Sequence, residues 1–386
     1  PAHVRRKNIL TPEKLPYDGG IGALGVRTVI TEGDFPALLD RALKQIRYDE
    51  VRQSQREWRC RDSALGLGIA CFVEKSGRGG TEYAKAELTR YGQFIVYAGG
   101  SDVGQGIETV LAQIAADALQ THYSSIEIVV DDTERVAHGE GSYASRTTMM
   151  AGGAVWNAAG RLAELIVDVA ARLTNTEKPD LVLSDGAVRS KSSNEIAIDL
   201  LELARRWPER IEVEHTFSAG EAYWGGVHVA LVEVERGSGQ THILDYVITL
   251  DCGKAVNPKL VESQLFGGFA QGVGGVLSEE LTYLPDGKLA DITLDGYGML
   301  YAHNIPVPVL MITEDYPNRA NPLGIKGIGE GGITGSSGAL ANAVADAISR
   351  LRGDNTEAVR KLPLTPTAVL SLIGDVKARS DRERSR

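Results

Sequence analysis

Four short stretches of this chain carry glycine so densely that neither a regular helix nor a regular strand suits all of them: Gly99–Gly106, Gly139–Arg146, Phe266–Gly275 and Gly324–Gly332. Glycine adopts backbone angles that other residues avoid and leaves room for a close neighbour, so such clusters mark strained turns or backbone held against something else. The sequence holds 44 glycines in 386 residues, above the usual frequency of about 7%. Whatever fold the chain takes must bring ordinary helices and strands to these four places.

The intervening sequence reads as alternating helix and strand. Residues 1–62 form a lead-in, in which Asp34 suits the N-cap of a helix carrying Leu38, Leu39, Leu43 and Ile46, and the charged stretch 47–62 suits a surface. Apolar strands are expected at Ala64–Val73, Ala84–Leu88 and Gly92–Val96. After the first glycine bend, Ile107, Val110, Leu111, Ile114 and Ala118 recur at helical spacing, followed by a strand at Ile126–Val130. A long helix is expected from about Thr147 to Leu173. Residues 174–220 read as polar and irregular, with a short strand and a helix at 194–206. Val227–Val234 and Thr241–Leu250 form a strand pair around the turn Arg236–Gly239. The third glycine cluster lies in a helical stretch ending near Glu280, a strand follows at Val307–Thr313, and a helix at Ala339–Leu351 succeeds the fourth cluster. The pattern predicts an α+β fold of mixed sheets with packed helices, organised as a lead-in (1–62), a main region (63–362) that can comprise two interlocked subdomains, and a tail (363–386).

Composition narrows the function. The net charge of −10 disfavours a phosphate backbone as partner, so nucleic acid is not expected. No apolar run approaches the length of a membrane span. Cys60, Cys71 and Cys252 are odd in number and spaced for neither zinc nor an iron–sulfur cluster, so they read as reduced thiols of a cytoplasmic protein, and no side chain is assigned to a metal.

Each cluster admits a ligand and a plainer alternative. Val103-Gly104-Gln105-Gly106 leads into a helix, whose free N–H groups suit a phosphate; a tight strand–helix turn would look the same. Ser145, Arg146 and Thr147 are hydroxyl and guanidinium donors at a helix start, or an N-cap beside a surface arginine. Gln271-Gly272 could present an amide to a flat ligand, or pack helices through small residues. Gly327–Gly332 has the G-x-G-x-x-G spacing of dinucleotide sites, but Asn318–Leu323 upstream is not a strand, which that site requires. What remains there is Glu330 in a glycine bed, a proton acceptor near neutral pH if partly buried, or else a solvated loop residue.

As a set, these stretches resemble the molybdenum-binding large subunits of the xanthine dehydrogenase and carbon monoxide dehydrogenase family. The resemblance rests on Gly99–Gly106, on Ser145-Arg146-Thr147 with Ala151–Val155, on Asp251–Pro258 followed by Gln264 and Gln271–Gly274, on Lys326–Glu330, and on Leu362–Pro366, in order. It implies a molybdopterin cofactor carrying molybdenum, in its cytosine dinucleotide form, held by Val103, Gly104, Gln105, Gly106, Ser145, Arg146, Thr147, Gln271, Gly272 and Gly329. Glu330 would be the catalytic base for inserting water-derived oxygen at an electron-poor carbon of an N-heteroaromatic, purine or aldehyde. The family's subunit is about twice as long, and two of its N-terminal motifs do not occur here. The resemblance therefore implies a C-terminal half, with a complementary half-subunit, an iron–sulfur subunit and an FAD subunit as partners. Two other readings stay open: a half that only shelters the cofactor, and a nicotinamide (NAD) dehydrogenase built on Gly327–Gly332.

Overall fold

The computed structural model describes all residues except 23, 24, 26, 59, 78, 221, 354–358 and 375–386. In chain order the elements are α1 (Ala2–Asn8), β1 (Tyr17–Ile21), β2 (Arg27–Ile30), α2 (Phe35–Gln45), α3 (Tyr48–Glu57), β3 (Ser63–Ser76), β4 (Glu82–Leu88), β5 (Phe94–Ala98), α4 (Ile107–Leu119) and β6 (Ile126–Val129). There follow α5 (Thr147–Thr174), β7 (Leu181–Ser184), β8 (Ala187–Ser190), β9 (Ile196–Asp199), α6 (Leu200–Arg206), β10 (Ile211–Phe217), β11 (Ala222–Glu235) and β12 (Thr241–Asp251). The chain continues through α7 (Pro258–Leu277), α8 (Leu294–Tyr297), β13 (Val309–Thr313), α9 (Gly331–Thr334) and α10 (Ser336–Arg352). Residues 366–374 are helical, and the remainder of the expected tail lies outside the described residues.

Two four-stranded sheets organise the α+β fold. One has the order β13-β12-β11-β3, antiparallel except for the parallel β12–β13 pair. Both its faces are covered, which is why β3 and β11 bury near-continuous apolar runs instead of alternating strictly. Leu39 and Leu43 of α2 pack with Val229 and Val247 on one face. On the other, Phe269 and Val273 of α7 and Val344 and Ile348 of α10 pack with Val232 and Ile248. Asp34 caps α2 by accepting from the Ala37 N–H at 2.9 Å. The second sheet runs β10-β4-β5-β6, with β5 and β6 parallel across the α4 crossover. Leu111 of α4 and Val155 and Leu162 of α5 bury against Ala86 and Val96 of that sheet.

The stretch 174–220 corrects the sequence reading. It is not irregular: β7, β8 and β9 form a three-stranded sheet, and β10 pairs with β4 along its whole length. Residues 196–199 are strand, so the helix begins only at Leu200. Strands of four residues offer too few alternations to stand out from polar neighbours, and their partners lie on other segments. Gly92 is likewise a turn residue at φ 75°, and its strand starts at Phe94.

Candidate cofactor-binding site

Three of the four glycine stretches meet around one cavity. The first bend, after β5, and the second, before α5, are tied by Ser142. Its hydroxyl donates to the Ser101 carbonyl at 2.6 Å and accepts from Thr147 Oγ1 at 2.9 Å. The second bend carries Ala144 and Ser145 consecutively in the left-handed region, at φ 48° and 51°. That conformation costs energy for residues with a side chain and persists only where the surroundings enforce it. It turns the Ser145 backbone toward the bend at 324–330. There Gly327 passes so close that a Cβ would lie 1.5 Å from the Ser145 carbonyl oxygen, so only glycine fits.

A buried ion pair anchors each side. Arg146 is fully buried, its guanidinium bonded to Glu82 of β4 and, at 2.8 Å, to the Thr81 carbonyl. Lys326 is equally buried, with Nζ 2.9 Å from Asp251 at the end of β12. Breaking a pair of this kind leaves an uncompensated buried charge, so both hold their bends firmly.

These bends enclose a cavity of about 480 Å³. The first residues of α4, α5 and α7 border it, through Gln105 and Val110, Thr147 and Thr148, and Asn257 and Leu260. Neither α4 nor α5 has a side-chain hydrogen bond at its N-cap. Helix N-termini carry unpaired N–H groups and partial positive charge, so the uncapped starts of α4 and α5 favour an anion, whereas α7 begins with Pro258 and has its Leu260 N–H taken by Asn257 Oδ1. Gln264 and the exposed Lys254 also line the cavity. A flat, polar, phosphate-bearing group the size of a pterin fits this donor set, and the volume lies within the ordinary range for small-molecule sites.

Glu330 stands at the cavity wall. Ser145 Oγ donates to Glu330 Oε2 at 2.9 Å and accepts from the Glu330 N–H at 3.2 Å. Glu330 is exposed in this chain, so these residues alone do not give it the partial burial the sequence reading asked for. Behind it lies Glu74 of β3, whose carboxyl is held above the usual range by its burial and then by the Glu330 charge. Under α9, the buried His228 bonds the Gly331 carbonyl at 2.9 Å and Tyr246 Oη at 2.9 Å, and burial pushes it down to about 4. Cys252, also on the wall, is pushed up to about 12 by burial, so its thiol stays protonated.

Of the residues singled out from the sequence, Val103, Gln105, Ser145, Arg146, Thr147, Gly329 and Glu330 line the cavity. Gly104 and Gly106 belong to the same bend, at φ 91° and 77°. Gln105 closes that bend on itself, donating to the Ser101 carbonyl at 2.8 Å and accepting from the Val103 N–H at 2.7 Å. Two expectations are corrected. The Arg146 guanidinium faces Glu82, because an unpaired buried charge is far costlier than a lost ligand contact. Gln271 and Gly272 lie on α7 outside the cavity: Gln271 is exposed, and Gly272 presses on α10, where a Cβ would lie 2.4 Å from that of Ser336. Sequence reasoning did not assign Ser142, Lys254, Asn257, Gln264 or Glu74 to the site. Gln264 carries a readable signal: it lies two helical turns before Gln271 on the same face of α7. Residues 314–324 contain no strand, so Gly327–Gly332 lacks the βα frame of a dinucleotide site.

Comparison with known proteins agrees with this cavity. Residues 41–306 match the profile of the molybdopterin cofactor-binding domain. The chain is 33% identical over 378 residues to the 6-hydroxypseudooxynicotine dehydrogenase complex subunit gamma of Paenarthrobacter nicotinovorans, covering 95% of this chain and 47% of that one. It is 29% identical over 394 residues to the nicotine 6-hydroxylase large subunit of the same organism, covering 96% and 47%. The crystal structure of quinoline 2-oxidoreductase from Pseudomonas putida 86 superposes with a TM-score of 0.84 at 29% identity, over 97% of this chain and 49% of that one. This chain belongs to the molybdopterin cofactor-binding family, as a portion of the molybdenum-binding large subunit found in xanthine dehydrogenase-like enzymes. It spans about half the length of the curated relatives it matches.

Proposed function

We propose that this chain is the cofactor-holding and base-supplying half of a molybdenum hydroxylase acting on an electron-poor carbon, with Glu330 as the general base. The cofactor, when bound, supplies two-electron oxidation of that carbon with oxygen drawn from water. The chain's own residues bind and orient it. The uncapped N–H groups opening α4 and α5 would take its anionic part, in the cytosine dinucleotide form, with Lys254 neutralising charge at the rim. Ser145 holds the Glu330 carboxylate by donating to it, which leaves the second carboxylate oxygen to accept a proton at the cavity. Two of the relatives are named for N-heteroaromatic compounds, nicotine and quinoline, and that class is proposed here.

The observation that carries this reading is the Ser145–Glu330 contact, which brings an acid from one bend to a cavity framed by helix starts of another. A complementary half-subunit fits two facts: the twofold length of the relatives, and a run of bare apolar side chains between 281 and 309, in which Ile292 and Val307 are 88% and 81% exposed. Iron–sulfur and FAD subunits would carry the electrons away in a cytoplasmic assembly; among the described residues no helix is long and apolar enough to cross a membrane.

Glu330→Gln tests the assignment. It is expected to leave molybdenum and pterin content unchanged while lowering turnover by roughly 10²–10⁴-fold, the usual contribution of a general base. Turnover close to that of the parent would remove Glu330 from the chemistry and favour a half-subunit that only shelters the cofactor.

A further inference from the structure

Strand β3 lies at the edge of its sheet, and the two halves of its outer side are treated differently. Its pairing with β11 runs from Ser63 to Ser76 without a shift in register, so every second residue turns its backbone N–H and C=O outward. From Ser63 to Ile69 these groups are sealed by side chains. Trp58 donates to the Ser63 carbonyl at 3.1 Å, and Gln55 of α3 donates to the Leu65 carbonyl at 3.0 Å. Asp346 of α10 accepts from the Leu67 N–H at 2.9 Å. Arg5 of α1 and Asn342 of α10 both donate to the Ile69 carbonyl, at 2.6 and 3.0 Å.

The seal stops there. Among the described residues, nothing takes the outward backbone groups of Cys71 and Val73, and both residues are exposed, Val73 to 45%. A bare strand edge is a template for another strand, and proteins normally cover one. The side chains of Cys71 and Val73 border a cavity of about 430 Å³, with apolar walls from Ile9, Leu10, Ile30 and Phe35. On the opposite face of the strand Thr334 meets Glu74 at 3.4 Å. One turn of chain beyond, Ser76 Oγ accepts at 3.2 Å from the Gly327 N–H, in the bend that carries Glu330.

We propose that the complementary half-subunit docks by adding a strand to the 71–73 edge of β3. This rests on the half-subunit reading above and names the place and manner of its attachment. The relatives carry about as much chain again as this one, which supplies the occupant. An added strand would lie about 4.8 Å from β3, with main-chain bonds to Cys71 and Val73 giving affinity. Its side chains alternate, so apolar ones on one side fill the bare cavity, while those on the other face Glu74 and Thr334. The sealed stretch from Ser63 to Ile69 fixes the register, because pairing cannot extend past Cys71.

The test is hydrogen–deuterium exchange, resolved to single amides, on the purified assembly. The amides of Cys71 and Val73 are expected to exchange as slowly as those of Phe72 and Glu74, which face β11. Val73→Pro removes an outward N–H and takes no bond from the sheet, so the chain is expected to fold and to lose the complementary half on purification. The proposal is overturned if the Cys71 and Val73 amides exchange freely while a second chain is present, a result that stands even if Val73→Pro does not fold. It is also overturned if folded Val73→Pro retains the second chain at the parent level, which would mean cover without strand pairing. Slow exchange in an assembly holding only copies of this chain would overturn it in favour of self-pairing. Failure of the half-subunit reading itself shows earlier, as the absence of any complementary chain from the mass of the assembly, and takes the proposal with it.

Discussion

The bend at 324–330 and the glycine run on α7 have similar composition and opposite uses. At Gly327 the missing side chain lets one backbone lie against another, so that two bends close around a cavity. At Gly272 it lets α7 seat on Ser336 of α10, within the packed core of these two helices. Dense glycine therefore marks close approach without saying what is approached. The distinction lies in what surrounds it: helix starts and polar side chains at the first, apolar faces of two helices at the second.

The contrast can be broken from either side. The largest effect is expected at Arg146→Met, which strands the buried Glu82 carboxylate beneath the second bend. Chemical denaturation should show a loss of about 3–5 kcal/mol, and a loss below 1 kcal/mol would mean that the pair does not anchor the bend.

On the packed side, His228 gives a pH signature. Its proton affinity is depressed in the fold to about 4, against an ordinary 6.5. The unfolded chain therefore binds the extra proton first as pH falls. The stabilisation from neutral His228 is complete above pH 6.5 and is lost as pH drops through that window towards 4, by about 3 kcal/mol in all. His228→Gln should flatten this slope of unfolding free energy against pH, while a slope unchanged by the substitution would exclude His228 as its source.

A smaller effect belongs to the contact between the bends. Ser145→Ala removes a hydrogen bond to a charged group, worth about 1.5–3 kcal/mol, which converts to a roughly 10- to 150-fold fall in turnover if Glu330 is left poorly aimed. Unchanged turnover with intact cofactor content would show that Ser145 does not orient it.

Much of the frame was legible because it depends on local chemistry. Asp34 capping α2, the apolar stripe of α4 and the β11–β12 hairpin all follow from residues close in sequence. So did the placing of Glu330 in a bend with no strand before it. What escaped depends on partners distant in the chain. Arg146 looks like a surface donor until Glu82, 64 residues earlier, is brought beneath it. Glu74 reads as an ordinary polar strand residue until α9 folds over it. Strands β7 to β9 are too short to show a period, and their pairing alone defines them.

The central claim, that the bends and not the α7 run hold the cofactor, is tested most directly by molybdenum and pterin content of the purified assembly carrying Gly327→Ala beside one carrying Gly272→Ala. Both substitutions should lower stability, since each places a methyl group into occupied space. The account predicts that the first loses the cofactor while the second, once folded, retains it at the parent level. Equal loss in both, or loss confined to Gly272→Ala, would contradict it.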